Sequence, residues 1–592
     1  METRGHAQGL AKKGRKDGII ASMTSKNKKL IIAFSVFLFL FFNWANADTL
    51  GQNVSFYVNS NFDRYERTDL SATLKHVSER LYFYVENSFW TELNSAGQLR
   101  LLNNISDLAI EFETNIYPKE VTSFGSESNP GIDKDPRITI LLEELAEGNG
   151  GYFDTANGYT RKEISSSNER DMIVVSVRSV LAGLNFSKVF LAHEFQHLIS
   201  FNQKDISKNV SEEVWLNELR SEYAISLVGY DQLFERSNLK HRFDAFIDSP
   251  SDSLTEWPNK NPDYAIANVF GQYLAEQFGN SIVLDTIKSD LIGIPSINEY
   301  LERSGYWERF EDVFGRWMVA LYLNNQSQDT RFGFFNPSLK YVHVQPQQKI
   351  NLTSNLLEYS ATQSIKPWQP VWLEFNLDAI SLDLSKSFKM LLNGGSGKIF
   401  HVFYLAFYND GTHQFGRIPL NNSKGSVYIL NSKKGLNKVL VMTTDGTKTI
   451  DFRSNEGSSL LTVSGSIIET KTAEAMTLRD GSLIKRPRES EVYVIWGKYK
   501  RYLSSGVIGL YGHLNPANVV EVEPELFDSY QTSNYVKYIN EEKVYAVWPD
   551  STKHWFNITP QQWDGSGRDW GAIFIINDLE LNYYRIGQDI IR

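Results

Sequence analysis

The chain has no cysteine in its 592 residues. That excludes disulfide bonds, thiol nucleophiles and any zinc site with thiolate ligands, so stability must come from large apolar cores. Histidine is scarce, with ten in the whole chain, and a metal site has to be built from these and from carboxylates. Positive charge is in short supply: 60 Lys and Arg against 70 Asp and Glu give a formal net charge of −10. This balance argues against nucleic acid or an anionic membrane as the main partner. The apolar run Leu30 to Phe42, thirteen residues long, is shorter than a bilayer span needs.

That run is preceded by Lys26, Lys28 and Lys29 and followed by Ala45-Asn46-Ala47. Basic residues, an apolar stretch and small residues in that order are the pattern of an export signal, cleaved after Ala47. Met23 as the true start gives a leader of normal length. A retained anchor, extended through Trp44 and the alanines, is the alternative. Residues 1–47 hold eight Lys or Arg and two Asp or Glu, so the remainder carries 52 basic and 68 acidic residues, a net of −16.

At this length three or more domains are expected. Residues 48–335 mix helix and strand. Ala72 to Asn94 reads as helical, while Arg137 to Leu142 and Met172 to Val177 read as strands. Ser187 is a candidate N-cap for a helix through His193 and His197, and Ser211-Glu212-Glu213 a start for a second through Glu218 and Glu222. Further helices are expected at Ala265–Phe278 and Phe310–Tyr322. From 336 to 475, short alternating runs broken by Gly, Asn, Asp and Ser predict a β-sandwich. Within 476–592, Leu483 to Trp496 aligns without gaps on Tyr535 to Trp548 at an offset of 52 residues, which predicts a tandem of two small β-rich modules. The aromatics there (Trp496, Tyr502, Trp548, Trp555, Trp563 and Trp570) fit a shared core better than a sugar-stacking surface. Asp133-Lys134-Asp135 fits a plain turn better than a calcium loop, because Pro136 follows and the later acidic positions are missing.

The chemistry concentrates at His193-Glu194-Phe195-Gln196-His197. Two histidines four apart on a helix lie about 40° apart around its axis, so both rings can reach one tetrahedral zinc ion. Glu194 stands beside that point and can take a proton from an activated water. The flanking Val189, Phe190, Leu191, Ala192 and Leu198 predict a buried helix. Coincidence on an amphipathic helix is the plainer account of the motif, but a buried His pair with a Glu needs partners, and a metal supplies them. A carboxylate from another helix completes three ligands and leaves one position open, the arrangement of a catalytic site. After twenty intervening residues, Trp215-Leu216-Asn217-Glu218 offers it. Glu222, one turn later, is the candidate support for a zinc histidine; the reverse assignment, Glu222 as ligand and Glu218 as support, is the alternative. Glu212 and Glu213 read as N-terminal helix charges. Ser200 and Gln203 stand where the metzincin pattern needs Gly and His, which excludes that class.

With a downstream Glu as third ligand the motif resembles gluzincins. A wider set resembles the hyicolysin family of secreted bacterial metallopeptidases: Asp133-Lys134-Asp135, Gly150-Gly151-Tyr152-Phe153, Ser167-Asn168-Glu169-Arg170, Ala192 to Asn202, Trp215 to Glu218, Asp263-Tyr264-Ala265 and Phe270 to Leu274. Leu219-Arg220 departs from it, since relatives tend to have Gly after the ligand Glu. The resemblance implies a multidomain protein, an α+β zincin-like metallopeptidase domain followed by a β-sandwich and small β-rich repeat modules. It implies zinc held by His193, His197 and Glu218, with Glu194 as general base on protein or peptide substrates, in a secreted or cell-surface location. Tyr264 is the first candidate for the group that stabilises the oxyanion, and His241 the second. The alternatives are an aminopeptidase, although no Gly-x-Met-Glu-Asn equivalent is present, and a surface-binding protein with a vestigial zinc domain. Residues 476–592 are the candidate segment for cell-wall or surface-polymer attachment.

Overall fold

The computed structural model describes residues 47–591 apart from 378–384, 432–434, 470–477, 479, 487, 515, 517, 518, 523 and 540; the candidate export signal therefore lies almost wholly outside the described residues. Strands β1 (Asn53–Tyr57), β2 (Asp69–Val77), β3 (Leu81–Glu86), β4 (Ile138–Glu143), β5 (Gly151–Tyr152) and β6 (Met172–Ser176) form one sheet in the order β1-β2-β3-β4-β6-β5. The pairs β3–β4 and β4–β6 are parallel, and the short edge strand β5 runs antiparallel to β6. Of the expected helix over Ala72 to Asn94 only Asn87–Glu92 is helical, and the rest is strand. Leu70, Ala72 and Leu74 alternate inward along β2, and every residue of β3 is buried. An interior strand with both faces covered has no period for sequence patterning to detect.

Helix α1 (Ser95–Glu111) and the helix that follows pack on one face of this sheet. Their core includes Leu101, Ile105, Phe112, Phe124, Ile140 and Val175. Glu120, on the helical segment Tyr117–Phe124, points into it with no exposure, and neither carboxylate oxygen has a partner. Burial holds its pKa well above the usual carboxylate range. The folded protein thus keeps a proton that the unfolded chain gives up above its ordinary pKa, so this group costs stability increasingly as pH rises from there. Glu120→Leu is expected to raise the melting temperature, with a gain that is small at pH 5 and larger at pH 8. Thermal denaturation at the two pH values measures it.

The helices that carry the motif are α2 (Leu184–Ser200) and α3 (Val214–Leu227). Helix α2 starts one turn earlier than Ser187. Gly183, at φ 132°, caps it and ends the preceding helix, and the Ser187 hydroxyl donates back to the Gly183 carbonyl at 3.0 Å. Helix α3 begins at Val214, with Glu213 at its N-cap. Three further helices bear on the site: α4 (Asn238–Asp248), α5 (Asn261–Phe278) and α6 (Phe310–Leu323). Helix α5 begins four residues before Ala265, because Pro262 suits its first turn and the Asp263 carboxylate accepts the Lys260 N–H at 2.6 Å.

Strands β7 (Gln348–Asn351), β8 (Glu358–Ile365), β9 (Val371–Asn376), β10 (Lys386–Gly394), β11 (Phe400–Tyr408), β12 (His413–Ile418), β13 (Lys424–Ile429), β14 (Leu436–Asp445) and β15 (Ser459–Glu469) form two sheets, β13-β10-β15-β8 and β12-β11-β14-β9-β7. Leu373, Phe375, Phe388, Met390, Val402 and Val441 fill the space between them. The five-stranded sheet has a second apolar face: Trp372, Phe403, Leu405, Leu440 and Met442 join Phe310, Phe314, Trp317 and Phe270 in one core with α3, α5 and α6. The protein is thus a multidomain α+β assembly in which a β-sheet completes the core of the helical half.

Two further five-stranded sheets lie near the C-terminus. In one, Leu483–Lys485, Val492–Trp496 and Tyr499–Leu503 form an antiparallel meander flanked by parallel Val520–Glu521 and Gln531–Thr532. In the other, Tyr535–Tyr538, Val544–Val547 and Thr552–Trp555 are flanked in the same way by Ile573–Ile576 and Arg585–Ile586. The shared-core expectation fails for most of the aromatics. Trp563 is 2% exposed, but Trp496, Tyr502, Trp548 and Trp570 are 37–46% exposed. Among the described residues no helix is long and apolar enough to cross a membrane.

Candidate metal centre

Helix periodicity puts His193 and His197 one turn apart on α2, and α3 packs beside it with Glu218 facing both. The two Nε2 atoms are 3.2 Å apart, and the Glu218 Oε2 lies 3.1 Å from that of His193 and 3.4 Å from that of His197. A tetrahedron with zinc–ligand bonds of about 2.0–2.1 Å has edges of about 3.3 Å. The three donor atoms therefore already stand at the spacing of one tetrahedral face. Two imidazole nitrogens this close, with a carboxylate on both, need a cation or a proton between them. No other group of three His, Asp or Glu side chains comes together in this way among the described residues.

Each ring has a polar neighbour behind it. The Ser221 hydroxyl donates to Gln196 Oε1 at 2.6 Å and stands 3.1 Å from His197 Nδ1. That bond leaves it an acceptor for a proton on Nδ1, which frees the Nε2 lone pair for the site. Glu222 Oε1 is 3.7 Å from His193 Nδ1. Glu222 is fully buried and held by four donors: Arg242 Nε at 3.0 Å and Nη2 at 2.7 Å, Asn238 at 2.6 Å and Asn268 at 3.0 Å. Burial alone would raise its pKa, but Arg242 and His193 hold it below the usual range. Burial likewise opposes a charge on His193; the hydrogen bond to Glu218 and the charges of Glu194, Glu218 and Glu222 outweigh it and push its pKa up to about 9. Glu218 is driven the opposite way. Despite burial, His197 and His193 hold it well below the usual carboxylate range.

Glu194 lies in the same buried stretch of α2, 7% exposed. Burial and Glu218 raise its pKa, against the two histidines and a hydrogen bond from the Phe153 backbone. The edge strand β5 passes close by. A Cβ on Gly151 would lie 2.8 Å from the Val174 carbonyl oxygen and 3.1 Å from Glu194 Cγ, and one on Gly150 would overlap Phe190 at 2.2 Å. Gly150-Gly151 thus lets the strand run against the Glu194 side chain.

Tyr264, on α5, stands beside the rings, its centroid 6.4 Å from that of His193. Arg242 covers one face at 4.7 Å, and Trp257 meets it edge-on at 5.1 Å. Its hydroxyl donates to Asn259 Oδ1 at 2.6 Å. Burial and the charges of Glu218 and Glu194 raise its pKa, so it stays a proton donor. His241 is exposed on α4, and its neighbour Arg242 is the residue that reaches the site. Glu212 is not a free helix charge. It is nearly buried between Lys204 Nζ at 3.2 Å and Arg220 Nη2 at 2.8 Å, and these pairs pin the loop before α3. Glu213 accepts the Asp451 backbone N–H at 2.6 Å. Asp133-Lys134-Asp135 forms a turn, with Lys134 at φ 66° and the Tyr82 hydroxyl donating to Asp135.

Ser221, Gln196, Asn238, Arg242 and Asn268 were not singled out from sequence. Ser221 had one available signal, its place one turn after Glu218. Arg242 and Asn268 come from other helices and had none.

No known protein-family model matches the chain. The neutral metalloprotease ShpI of Staphylococcus hyicus is 26% identical over 270 residues, covering 42% of this chain and 56% of the relative. The matched part thus spans little more than half of that protein. The pre-peptidase C-terminal domain of a collagenase from Bacillus anthracis aligns over 21% of this chain and 97% of its own length, at 11% identity and a TM-score of 0.13. A likeness that weak says nothing about the fold.

Proposed function

We propose that the protein is an exported, zinc-dependent endopeptidase of zincin type, with His193, His197 and Glu218 as the zinc ligands. The observation that carries this is the triangle of three donor atoms at tetrahedral spacing, with Glu194 beside it. Similarity to a neutral metalloprotease supports the reading. All three donors are nitrogen or carboxylate oxygen, a set that suits zinc and leaves one of four positions for substrate or water. Zinc there would polarise the scissile carbonyl and lower the pKa of water.

The chain's own groups do the rest. Glu194 takes the proton of the attacking water and delivers it to the leaving amine. Glu222 and Ser221 orient the two imidazoles. Tyr264 is the candidate donor to the developing oxyanion. To act, its hydroxyl exchanges the Asn259 carbonyl for the substrate oxygen. The edge strand β5 offers backbone groups along which an extended peptide can lie.

The test is a quenched fluorescent peptide blocked at both ends. An endopeptidase cleaves it, and the cleavage stops with a chelator. Cleavage only of peptides with a free N-terminus would make the protein an aminopeptidase instead. Export rests on the Lys26 to Ala47 pattern. Attachment through residues 476–592 is supported by the exposed rings of Tyr502, Trp548 and Trp570, and retention of that segment on bacterial cell walls tests it.

A further inference from the structure

We propose that the β-sandwich turn 366–370, anchored by Trp368, positions Tyr264 for catalysis by clamping the segment 250–260 against the metal centre. The inference rests on the reading of Tyr264 as the oxyanion donor and assigns the sandwich a part in the active site.

The segment runs from the end of α4 to the start of α5 and brings two residues to Tyr264, Trp257 at its edge and Asn259 at its hydroxyl. Its other contacts lead away from the helical half. Pro367 O accepts from Ser253 Oγ at 2.5 Å and from Thr255 Oγ1 at 3.4 Å. Pro370 O accepts from Ser251 Oγ at 2.6 Å, and Gln369 Nε2 donates to Ser251 O at 2.7 Å. The Leu254 N–H donates to Trp368 O at 3.1 Å, and that of Trp257 to Arg453 O at 3.4 Å. Lys366 Nζ lies 2.6 Å from Glu256, which is only 5% exposed. The segment has no helix or strand hydrogen bonds of its own, so these ties replace a ladder.

The turn itself is fixed by Trp368. Its φ of 48° is a left-handed backbone that a bulky side chain adopts only under constraint. The constraint is visible. Its ring is 1% exposed, packed edge-on against Phe310 at 4.7 Å and Phe314 at 5.5 Å of α6, and its Nε1 donates to Lys448 O at 2.7 Å. Its N–H donates to Asp445 O at 2.9 Å. A sandwich residue is thus seated in the helical core, and its own carbonyl holds the strap that borders the metal site. Arg242, from α4, and His193, from α2, are further neighbours of the Tyr264 ring.

The test uses Lys366→Met/Gln369→Ala, two changes on the sandwich that touch neither ligands nor Tyr264. In the purified protein zinc content should stay at the wild-type level, while the melting temperature falls, because Glu256 stays buried without its cation. The kcat for a blocked peptide should fall about tenfold to a hundredfold, the scale of a small misplacement of a catalytic group. KM should move much less, because the oxyanion contact forms only in the transition state. Lys366→Arg, which keeps the ion pair to Glu256, should retain wild-type kcat. In a Tyr264→Phe background the double change should have no further effect. An unchanged kcat in the double variant overturns the proposal, and so does an equal loss in the Tyr264→Phe background. If the double variant does not fold, Ser251→Ala, which removes one tie at the partly buried edge, is read by the same cycle. A wild-type protein that binds zinc but cleaves nothing brings down the peptidase reading itself, and this inference with it.

Discussion

Glu194→Gln is expected to lower kcat by about 10²- to 10⁴-fold, the usual worth of a positioned general base, while zinc content stays at the wild-type level. The side chain is close to isosteric, and Glu194 is not among the three converging donors. A carboxamide has no basic oxygen for the proton of the attacking water and cannot hand one to the leaving amine. The site around it should survive, because a glutamine keeps the shape that packs beside Gly151 and can still accept from the Phe153 N–H. KM should change little, since the proton transfer belongs to the transition state. Steady-state kinetics with metal analysis on the same sample measures both. Loss of zinc together with loss of activity would show instead that Glu194 supports the metal.

A chain ending at residue 335 is expected not to fold. The boundary suggested by the change in sequence texture runs through a single core: Phe403, Leu405, Leu440 and Met442 from the sandwich are buried with Phe310, Phe314 and Trp317 of α6. Burial of each such side chain is worth about 1.5–3 kcal/mol, and Trp368 and Trp372 add more. The sum is comparable with the whole net stability of about 5–15 kcal/mol typical of a folded protein. A chain ending at residue 477 keeps this core and should fold, bind zinc and cleave. The C-terminal sheets have cores of their own and meet the helical half through contacts such as Trp496 on Trp307 and Lys537 with Glu302. Circular dichroism melts of the two truncations distinguish these outcomes. A cooperative melt of the shorter one would show that the sandwich is an appendage.

Much of the site could be read from the sequence because helix geometry is local. Spacing alone puts His193 and His197 on one face, and a short connection brings Glu218 and Glu222 on the next helix against them. What could not be read depends on contacts between distant segments. Arg242 reaches Glu222 from another helix, 20 residues on. The ties from Pro367 to Ser253 span 114 residues, and no local pattern announces them. Trp368 in sequence is one aromatic among many; only its backbone angle and its seat in the helical core mark it out. The strand β3 defies a local reading for a different reason: Leu81 to Glu86 is buried on both sides, so its residues show neither the strand period nor the helix period, whereas β2 carries the strand alternation at Leu70, Ala72 and Leu74 that the helical expectation overlooks. Position misled at Glu212. At the N-terminus of a predicted helix it read as a solvated charge, but it sits between Lys204 and Arg220.

The measurement that tests the central claim most directly is a zinc titration of metal-free protein, following hydrolysis of a doubly blocked peptide. The account predicts no cleavage without metal, full recovery at one equivalent of zinc, and no recovery for His193→Ala or His197→Ala. Cleavage that persists in the metal-free protein, or zinc that binds in one equivalent to both histidine variants, would contradict it.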